Sequence, residues 1–241
     1  MRIAIFSDIH GNMDAFQQVL NDIKESFIDT MLCLGDNIGY GPEPEEVLRI
    51  LREKTIVSVL GNHEMACIDS SMLDWFNPAA SESLKKTIQM LSPASFKFIA
   101  GLKKSMVYHD CRFVHGFPPD SPTIYLFQVS DKKICRFMSQ MKERICFIGH
   151  THELRIIEYD GEKCIPDLLQ MGITQLKGQS RFIVNVGSVG QPRDGDNRAK
   201  YVIWDTDQDV IEVRFIRYDI EKVVKKILAA GLPEVHANRL W

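Results

Sequence analysis

Five short apolar runs in this sequence each end in side chains of the kinds that bind metal ions. The first run contains Ile3, Ile5 and Phe6 and leads into Asp8 and His10. The later runs lead into Asp36, into Asn62 and His63, into His115, and into His150 and His152. Short apolar runs bounded by glycine are typical of buried strands, and ligands of open α/β sheets lie at the carboxyl ends of such strands. The pattern therefore predicts that these polar side chains gather at one edge of a sheet.

The elements between these runs indicate the fold class. Apolar side chains at spacings of three and four predict a helix after Asn12, whose side chain suits an N-cap. Apolar runs over 29–34 and 55–60 predict the second and third strands, and a helix begins at Pro44 between them. Strand, helix and strand in this order favour parallel pairing of the strands.

The stretch from about 65 to 108 has a different character. Its apolar spacing and its prolines predict a small helical insertion, like a cap, within a single domain that spans 1–241. We expect Trp75 and Phe76, or residues close to them, to lie in a helical lid beside the polar edge. The alternative is that both aromatic side chains only close the core.

The second half of the chain changes from alternating elements to consecutive strands. Strands are predicted over 112–114, 145–148, 154–159, 181–185, 201–204 and 210–216, with helices over 130–142 and 220–230. The whole pattern predicts an α/β protein with a four-layer α/β/β/α sandwich, in which two facing mixed sheets are flanked by helices.

Composition restricts the classes of partner. The 241 residues carry a net charge of −3 and are 45% hydrophobic, which is ordinary for a globular protein. This charge gives no bulk signal for nucleic acid or an anionic membrane, and no run is long enough to span a bilayer. The first residues also lack the pattern of a signal peptide. We therefore expect a cytoplasmic protein with a small-molecule substrate, while self-association into a homo-oligomer stays open.

The cysteines do not form a recognisable motif. Six of them are scattered along the chain without a Cys-x-x-Cys pair. Cys33 and Cys146 lie inside apolar runs, which favours buried free thiols and agrees with a reducing cytoplasm.

The gathered polar residues are a donor set for more than one metal ion. They include five of the seven histidines, together with two aspartates. Imidazole and carboxylate suit divalent Mn, Fe, Zn or Co, and the lack of thiolate argues against a structural zinc finger. The set is too large for one ion, whereas two ions about 3.5–4 Å apart and bridged by a carboxylate would use it, as in two-metal hydrolases.

The order of these motifs resembles that of the calcineurin-like metallophosphoesterases. The motifs are Asp8-x-His10, Gly35-Asp36, Gly61-Asn62-His63-Glu64, His115-Gly116 and Gly149-His150-x-His152. The later stretch Asn-Val-Gly-Ser-Val-Gly-Gln-Pro-Arg over 185–193 is similar to a compact bacterial subgroup of predicted phosphoesterases. Some members of that subgroup resemble diadenosine polyphosphate hydrolases.

The resemblance implies a role for each residue. One divalent ion is held by Asp8, His10 and His152, the other by Asn62, His115 and His150, and Asp36 bridges the two ions. Manganese is the first choice, with iron, zinc, cobalt and nickel as alternatives. A metal-bound hydroxide would attack a phosphomonoester, phosphodiester or dinucleotide polyphosphate in line with the leaving group. His63 would not bind metal, but would contact the phosphoryl oxygen or protonate the leaving alkoxide.

The sequence departs from the family pattern at two positions. Protein serine/threonine phosphatases carry an aspartate and an arginine where this chain has Gly39 and Tyr40, and symmetric dinucleoside tetraphosphate hydrolases share that arginine pattern. Arg193 is the candidate phosphate clamp instead, unless it is only a surface arginine, and Tyr40 is a second candidate substrate contact. Some relatives that have lost the catalytic histidine resemble scaffolds. A non-catalytic metal-binding scaffold is therefore the alternative function.

Overall fold

A computed structural model of the chain describes residues 1–176 and 178–241. The strands are β1 (Arg2–Phe6), β2 (Thr30–Cys33), β3 (Val57–Ser58), β4 (Ser105–Tyr108), β5 (Cys111–Val114), β6 (Ile145–Ile148), β7 (Leu154–Tyr159), β8 (Cys164–Asp167), β9 (Gly172–Gln175), β10 (Arg181–Val186), β11 (Ala199–Asp205) and β12 (Val210–Ile216). The α-helices are α1 (Met13–Glu25), α2 (Pro44–Glu53), α3 (Asn62–Ile68), α4 (Pro78–Met90), α5 (Pro93–Ala100), α6 (Asp131–Gln140), α7 (Ile220–Ala229) and α8 (Glu234–Asn238). Ser70–Trp75 and Leu126–Gln128 form 3-10 helices.

The strands form two mixed sheets, each of six strands within the described ranges. Their orders are β3-β2-β1-β11-β12-β9 and β4-β5-β6-β10-β7-β8. In the first sheet β1, β2 and β3 run parallel, and in the second sheet β5, β6 and β10 do. The remaining pairs are antiparallel. The prediction of two mixed sheets flanked by helices is confirmed.

Strand β1 shows how the layers are held together. Ile3 and Ile5 pack into the core between the sheets, which also contains Phe147 of the second sheet. Ala4 and Phe6 point the other way and pack in the cluster that contains the buried face of α1. Because both faces are covered, the strand is apolar throughout rather than alternating.

The second sheet has a helical layer of its own. Cys146 and Ile148 of β6 pack with Ile134 and Met138 of α6 on the side away from the first sheet. Helices therefore lie outside both sheets, in the order helix, sheet, sheet, helix. No helix within the described ranges has the length and apolarity needed to cross a bilayer.

Several elements differ from the sequence-based predictions. Strand β3 spans only two residues, Val57–Ser58, and the short helix α8 lacks a predicted counterpart. Helices occupy most of the stretch from 62 to 100, but Ser105–Tyr108 forms β4, which pairs antiparallel with β5. The turn between β4 and β5 is His109-Asp110, and both residues have positive φ (47° and 55°), as two-residue hairpin turns require.

The cysteines fall into two groups. Cys33 and Cys146 are buried free thiols, as predicted. Cys135 of α6 and Cys164 of β8 form a disulfide that joins the outer helix to the edge of the second sheet. The expectation of free thiols therefore does not extend to this pair, whose partners come together only in the folded chain.

Candidate metal centre

The polar residues that follow β1, β2, β3, β5 and β6 lie together at the carboxyl ends of these strands. The first sheet supplies the residues after β1, β2 and β3, and the second sheet supplies those after β5 and β6. All seven predicted metal ligands are buried, with exposed fractions between 0% and 7%: Asp8, His10, Asp36, Asn62, His115, His150 and His152. Only the tertiary packing of the two sheets brings these side chains into contact.

A first group of ligand atoms joins Asp8, His10 and His152. The Nε2 atoms of the two histidines lie 3.2 Å apart. Oδ1 of Asp8 is 3.3 Å from Nε2 of His152 and 3.7 Å from Nε2 of His10. This carboxylate oxygen is buried and has no hydrogen-bond partner among the described residues. Two imidazole nitrogens and one free carboxylate oxygen thus face a common point.

A second group joins Asp36, Asn62, His115 and His150. Nε2 of His115 lies 3.1 Å from Oδ1 of Asn62, 3.0 Å from Nδ1 of His150 and 3.2 Å from Oδ2 of Asp36. The Asp36 oxygen is also 3.8 Å from Nε2 of His10 in the first group. Asp36 therefore lies between the two groups, where a bridging ligand belongs.

Each of the four candidate ligand histidines is held by a backbone carbonyl on its outer nitrogen. The contacts are His10 Nδ1 with Ile38 O at 3.0 Å, His115 Nδ1 with Leu34 O at 2.8 Å, His152 Nδ1 with Gln191 O at 2.6 Å, and His150 Nε2 with Thr123 O at 3.2 Å. A carbonyl can only accept, so it fixes the ring proton on the outer nitrogen. The inner nitrogen keeps its lone pair, which is the state that binds metal.

The loops that carry the candidate ligands adopt left-handed backbone conformations. Asp8, His10 and Asp36 have φ values of 56°, 50° and 52°, and His150 and His152 have values of 68° and 62°. Non-glycine residues in this region cost roughly 1–3 kcal/mol each and cluster at functional sites. The candidate side chains converge through tight turns beyond the strand ends.

His63 differs from the four ligand candidates. It is a first-turn residue of α3, after Gly61 at the N-cap. Its Nε2 lies 3.8 Å from Oδ2 of Asp36, while its buried Nδ1 has no hydrogen-bond partner among the described residues. A Cβ added at Gly39, which has φ of 82°, would collide with this Nδ1. The chain thus has no side chain that could support His63 from the position of Gly39.

Burial and neighbouring charges set the protonation of the centre. Burial opposes ionisation of Asp36, but the nearby imidazoles of His115 and His63 outweigh it and lower the pKa of its carboxyl. Burial lowers the pKa of His150 to about 3 and that of His63 to about 4. For His115, burial is outweighed by Asp36, which raises the imidazole pKa to about 9. Ionised carboxylates and neutral imidazoles are the forms that bind divalent ions, so a metal must displace the proton of His115.

Glu64 is a residue of the site that the sequence analysis did not assign. Its carboxylate is fully buried and accepts hydrogen bonds from the backbone N–H groups of Asp36 (2.9 Å), Asn37 (2.6 Å) and Gly61 (3.1 Å). It also accepts one from the Asn37 side chain at 3.1 Å. Glu64 therefore fixes the loop that carries Asp36 against the start of α3. Its spacing from Gly61, that of an N-cap and N3 pair, is the signal that could have indicated this role.

We expect Glu64→Gln to weaken both the fold and the centre. The amide NH₂ would face backbone N–H groups, and leaving buried donors unpaired costs about 1–3 kcal/mol, or more for charged partners. Metal affinity should fall about 10–100-fold, the usual effect of losing an outer-shell partner. Urea unfolding and metal titration check both effects. Glu143→Gln is the matched control, because Glu143 is a buried carboxylate that pairs with Arg112 at 2.6 Å before the start of β6. Equal results for the two variants would contradict the role given to Glu64.

The two predicted substrate contacts lie beside the centre. The buried ring of Tyr40 lies 4.4 Å from the ring of His10 and 4.6 Å from that of His63. The Arg193 guanidinium lies 5.9 Å from the Tyr40 ring centroid and donates to Oε1 of Gln191 at 3.0 Å. Arg193 is solvent-exposed, so its charge is available at the rim of the site.

The predicted lid aromatics have different environments. The Phe76 ring packs edge-on against His63, with ring centroids 5.1 Å apart. Trp75 is 74% exposed and therefore does not close the core. Both residues line a cavity that also includes Asn62 and His150 of the centre.

The donor set fits two divalent ions. Imidazole nitrogens, carboxylate oxygens and one amide oxygen suit Mn, Fe, Co, Ni or Zn, and no thiolate lies among them. Three overlapping clusters of ligand atoms are close enough to hold an ion: Asp8, His10 and His152; His10, Asp36 and His63; and Asp36, His115 and His150. An unpartnered buried oxygen of Asp8 faces the first cluster. An isolated buried carboxylate without a cation is costly, so this oxygen is itself an argument for a bound metal.

Comparison with known proteins identifies the family of the chain. The model of the calcineurin-like phosphoesterase superfamily domain matches residues 1–209. An uncharacterized protein of Methanocaldococcus jannaschii is 34% identical over 245 residues, which cover 99% of this chain and 97% of that protein. A symmetrical bis(5'-nucleosyl)-tetraphosphatase of Baumannia cicadellinicola is 37% identical over 68 residues, which cover 27% of this chain and 24% of that enzyme.

A solved structure extends the match to the whole fold. The crystal structure of a metallophosphoesterase from Sphaerobacter thermophilus superposes with a TM-score of 0.87 at 34% identity, covering 100% of this chain and 98% of that one. The buried histidine and aspartate clusters of this chain follow strands of both sheets. The chain therefore belongs to the calcineurin-like phosphoesterase superfamily and is a metal-dependent phosphoric ester hydrolase.

Proposed function

We propose that this protein hydrolyses a small phosphate ester at a centre of two divalent ions. Asp8, His10 and His152 would hold one ion, Asn62, His115 and His150 the other, with Asp36 shared. The observation that carries the proposal is the set of four imidazoles whose outer nitrogens contact backbone carbonyls. Their inner nitrogens are turned toward each other and toward the two aspartates, which is the arrangement of prepared metal ligands.

The proposed ion is manganese, with iron, zinc, cobalt and nickel as alternatives. Mixed imidazole and oxygen donors without thiolate support this choice. Bound at such a pair of sites, divalent ions lower the pKa of water to about 7 and stabilise charge on a phosphoryl group.

His63 would donate a hydrogen bond to the phosphoryl oxygen. Its Nε2 points toward the shared aspartate at 3.8 Å, and no backbone carbonyl holds its other nitrogen. Because burial lowers the pKa of His63 to about 4, the ring is neutral at pH 7. A neutral ring is a hydrogen-bond donor but a poor source of a proton for the leaving alkoxide. Of the two roles implied by the family, this supports the phosphoryl contact.

Arg193 and Tyr40 would bind the substrate on the open side of the centre. The Arg193 guanidinium is the exposed cation beside Tyr40, and a guanidinium pairs well with two phosphoryl oxygens. The Tyr40 ring fills the space against His10 and His63. Tyr40 thus would shape the pocket, while Arg193 supplies the charge.

The substrate would be a phosphomonoester, a phosphodiester or a nucleotide. The local match to a protein named as a symmetrical bis(5'-nucleosyl)-tetraphosphatase supports the nucleotide class. The proposed compartment is the cytoplasm.

Chelation and reconstitution test the proposal. We expect protein stripped with EDTA to be inactive and to regain hydrolysis of p-nitrophenyl phosphate or bis-p-nitrophenyl phosphate on addition of Mn²⁺. Elemental analysis of the reconstituted protein should give two ions per chain. Activity that survives complete chelation, or a single ion per active chain, would contradict the two-metal centre.

The same experiment tests the non-catalytic scaffold that the sequence analysis gave as the alternative function. The scaffold predicts a protein that binds two ions but hydrolyses neither these esters nor nucleotides. The retention of His63 beside Asp36 favours the enzyme, because the related scaffolds lack that histidine.

A further inference from the structure

A cavity of about 420 Å³ opens directly beside the candidate metal centre. Asn62 and His150, both candidate ligands, form part of its wall. The other walls come from the helical stretch around Trp75 and Phe76 and from the loop around Tyr125. The volume lies in the range of ligand pockets, about 300–1,000 Å³. A group attached to a phosphate at the centre could therefore extend into this cavity.

The cavity walls are built from flat rings that continue from the centre. The Tyr125 ring stacks on His150 with centroids 3.6 Å apart and an interplanar angle of 15°. Phe76 meets His63 edge-on at 5.1 Å. The Trp75 indole is 74% exposed and faces no aromatic partner among the described contacts. The Tyr125 ring also stacks on Phe127, with centroids 4.9 Å apart and an interplanar angle of 19°, so Trp75 supplies the uncovered ring face. An uncovered indole face beside a cavity favours a planar ligand.

The charges of the site are separated. Among the described residues that line the cavity, none is Lys, Arg, Asp or Glu, while Arg193 and the centre lie on the phosphate side. A chain of further phosphates would need cations along the cavity. The polar side chains that line it include the amides of Asn77 and Gln128. Their oxygens accept from the backbone N–H groups of Ala80 and Tyr125, which leaves their NH₂ groups to donate to acceptors on the edge of a base.

We propose that this cavity is a subsite for the nucleobase of a nucleoside monophosphate ester, with the base stacked against Trp75. The proposal rests on the proposed phosphoesterase function and narrows its substrate class. The base lies among the aromatic walls, its edge faces Asn77 and Gln128, and the single phosphate lies at the centre. Trp75 is then a specificity-determining residue.

A pair of substrates that differ only in the base tests the subsite. Adenosine 5'-monophosphate and ribose 5-phosphate are compared by kcat/KM with Mn-loaded protein. Stacking of a base on an aromatic side chain is worth roughly five- to a hundredfold in affinity. We expect the native protein to prefer the nucleotide by about tenfold or more, and Trp75→Ala to remove most of that preference. Trp241→Ala is the matched control, because Trp241 is a comparably exposed tryptophan (67%) that does not line the cavity.

Tryptophan fluorescence gives a second readout that does not depend on turnover. Adenosine 5'- and 3'-monophosphates should quench the fluorescence of the native protein and of Trp241→Ala, but not that of Trp75→Ala. Equal kcat/KM for the two substrates, together with no quenching, would overturn the subsite even if p-nitrophenyl phosphate is hydrolysed. Quenching that depends on Trp75, without hydrolysis of any ester, would support the base subsite and contradict the proposed phosphoesterase function.

Discussion

Asp36→Ala is expected to lose its metal ions and its activity together. Oδ2 of Asp36 lies 3.2 Å from Nε2 of His115 and 3.8 Å from Nε2 of His10, so its removal takes a ligand from both groups. Bound metals supply several kcal/mol of charge stabilisation, and each 1.4 kcal/mol is about tenfold in rate. We therefore expect turnover of p-nitrophenyl phosphate to fall by at least roughly a thousandfold.

Metal content must be measured on the same sample as the rate. Elemental analysis should give fewer than two ions per chain for Asp36→Ala under conditions that load the native protein. Asp205→Ala is the control, because Asp205 is a buried aspartate that caps a turn at the far end of β11. It should lower thermal stability and keep both ions. Asp36→Ala protein that retains two ions and most of its activity would rule out a bridging role.

His63→Ala is expected to keep both ions and lose turnover. The variant leaves all four carbonyl-held imidazoles and both aspartates in place. Removing one donor that stabilises charge in the transition state typically costs about 10²–10³-fold in kcat. Since we assign a hydrogen bond to the phosphoryl oxygen, the loss should be similar for p-nitrophenyl phosphate and for an alkyl phosphate.

The leaving-group comparison distinguishes the two roles of His63. A loss confined to the alkyl ester would instead assign His63 as the acid that protonates the leaving group. Loss of the metals would make it a ligand and contradict both roles. His109→Ala is the control, because His109 lies in the turn between β4 and β5, at the opposite end of β5 from His115. A native protein with two ions and no activity on any ester would favour the scaffold.

The strand framework could be predicted because its apolar runs are buried on both faces. All four residues of Ile145–Ile148 are apolar and buried, as in a strand covered on both faces, so the run itself predicts β6. The β4–β5 hairpin was missed because His109-Asp110 lacks the Asn-Gly signal of such turns. Strand β3 is shorter than predicted because only Val57 and Ser58 pair with β2.

The residues of the candidate site could be proposed from the sequence, but the groups that hold them in place could not. The candidate ligands are recognisable from their residue types at strand ends. Their supports are contacts between distant positions, such as His152 with the carbonyl of Gln191 and Glu64 with the amide of Asp36. Backbone carbonyl and amide groups are present whatever the residue type, so the sequence does not show which of them make these contacts. The left-handed turns at Asp8 and His150 are equally invisible, since neither residue is glycine.

The origin of the ligands from both sheets has a thermodynamic consequence. His10 and Asp36 follow strands of one sheet, whereas His115 and His152 follow strands of the other. The proposed ions would therefore join the two layers, and their binding free energy would add to that of the packing, because the ligands come together only when both sheets are packed. Metal affinity and global stability would then form one linked equilibrium. A substitution that weakens the packing between the sheets, at Phe147 for example, would therefore be measured as a loss of metal affinity.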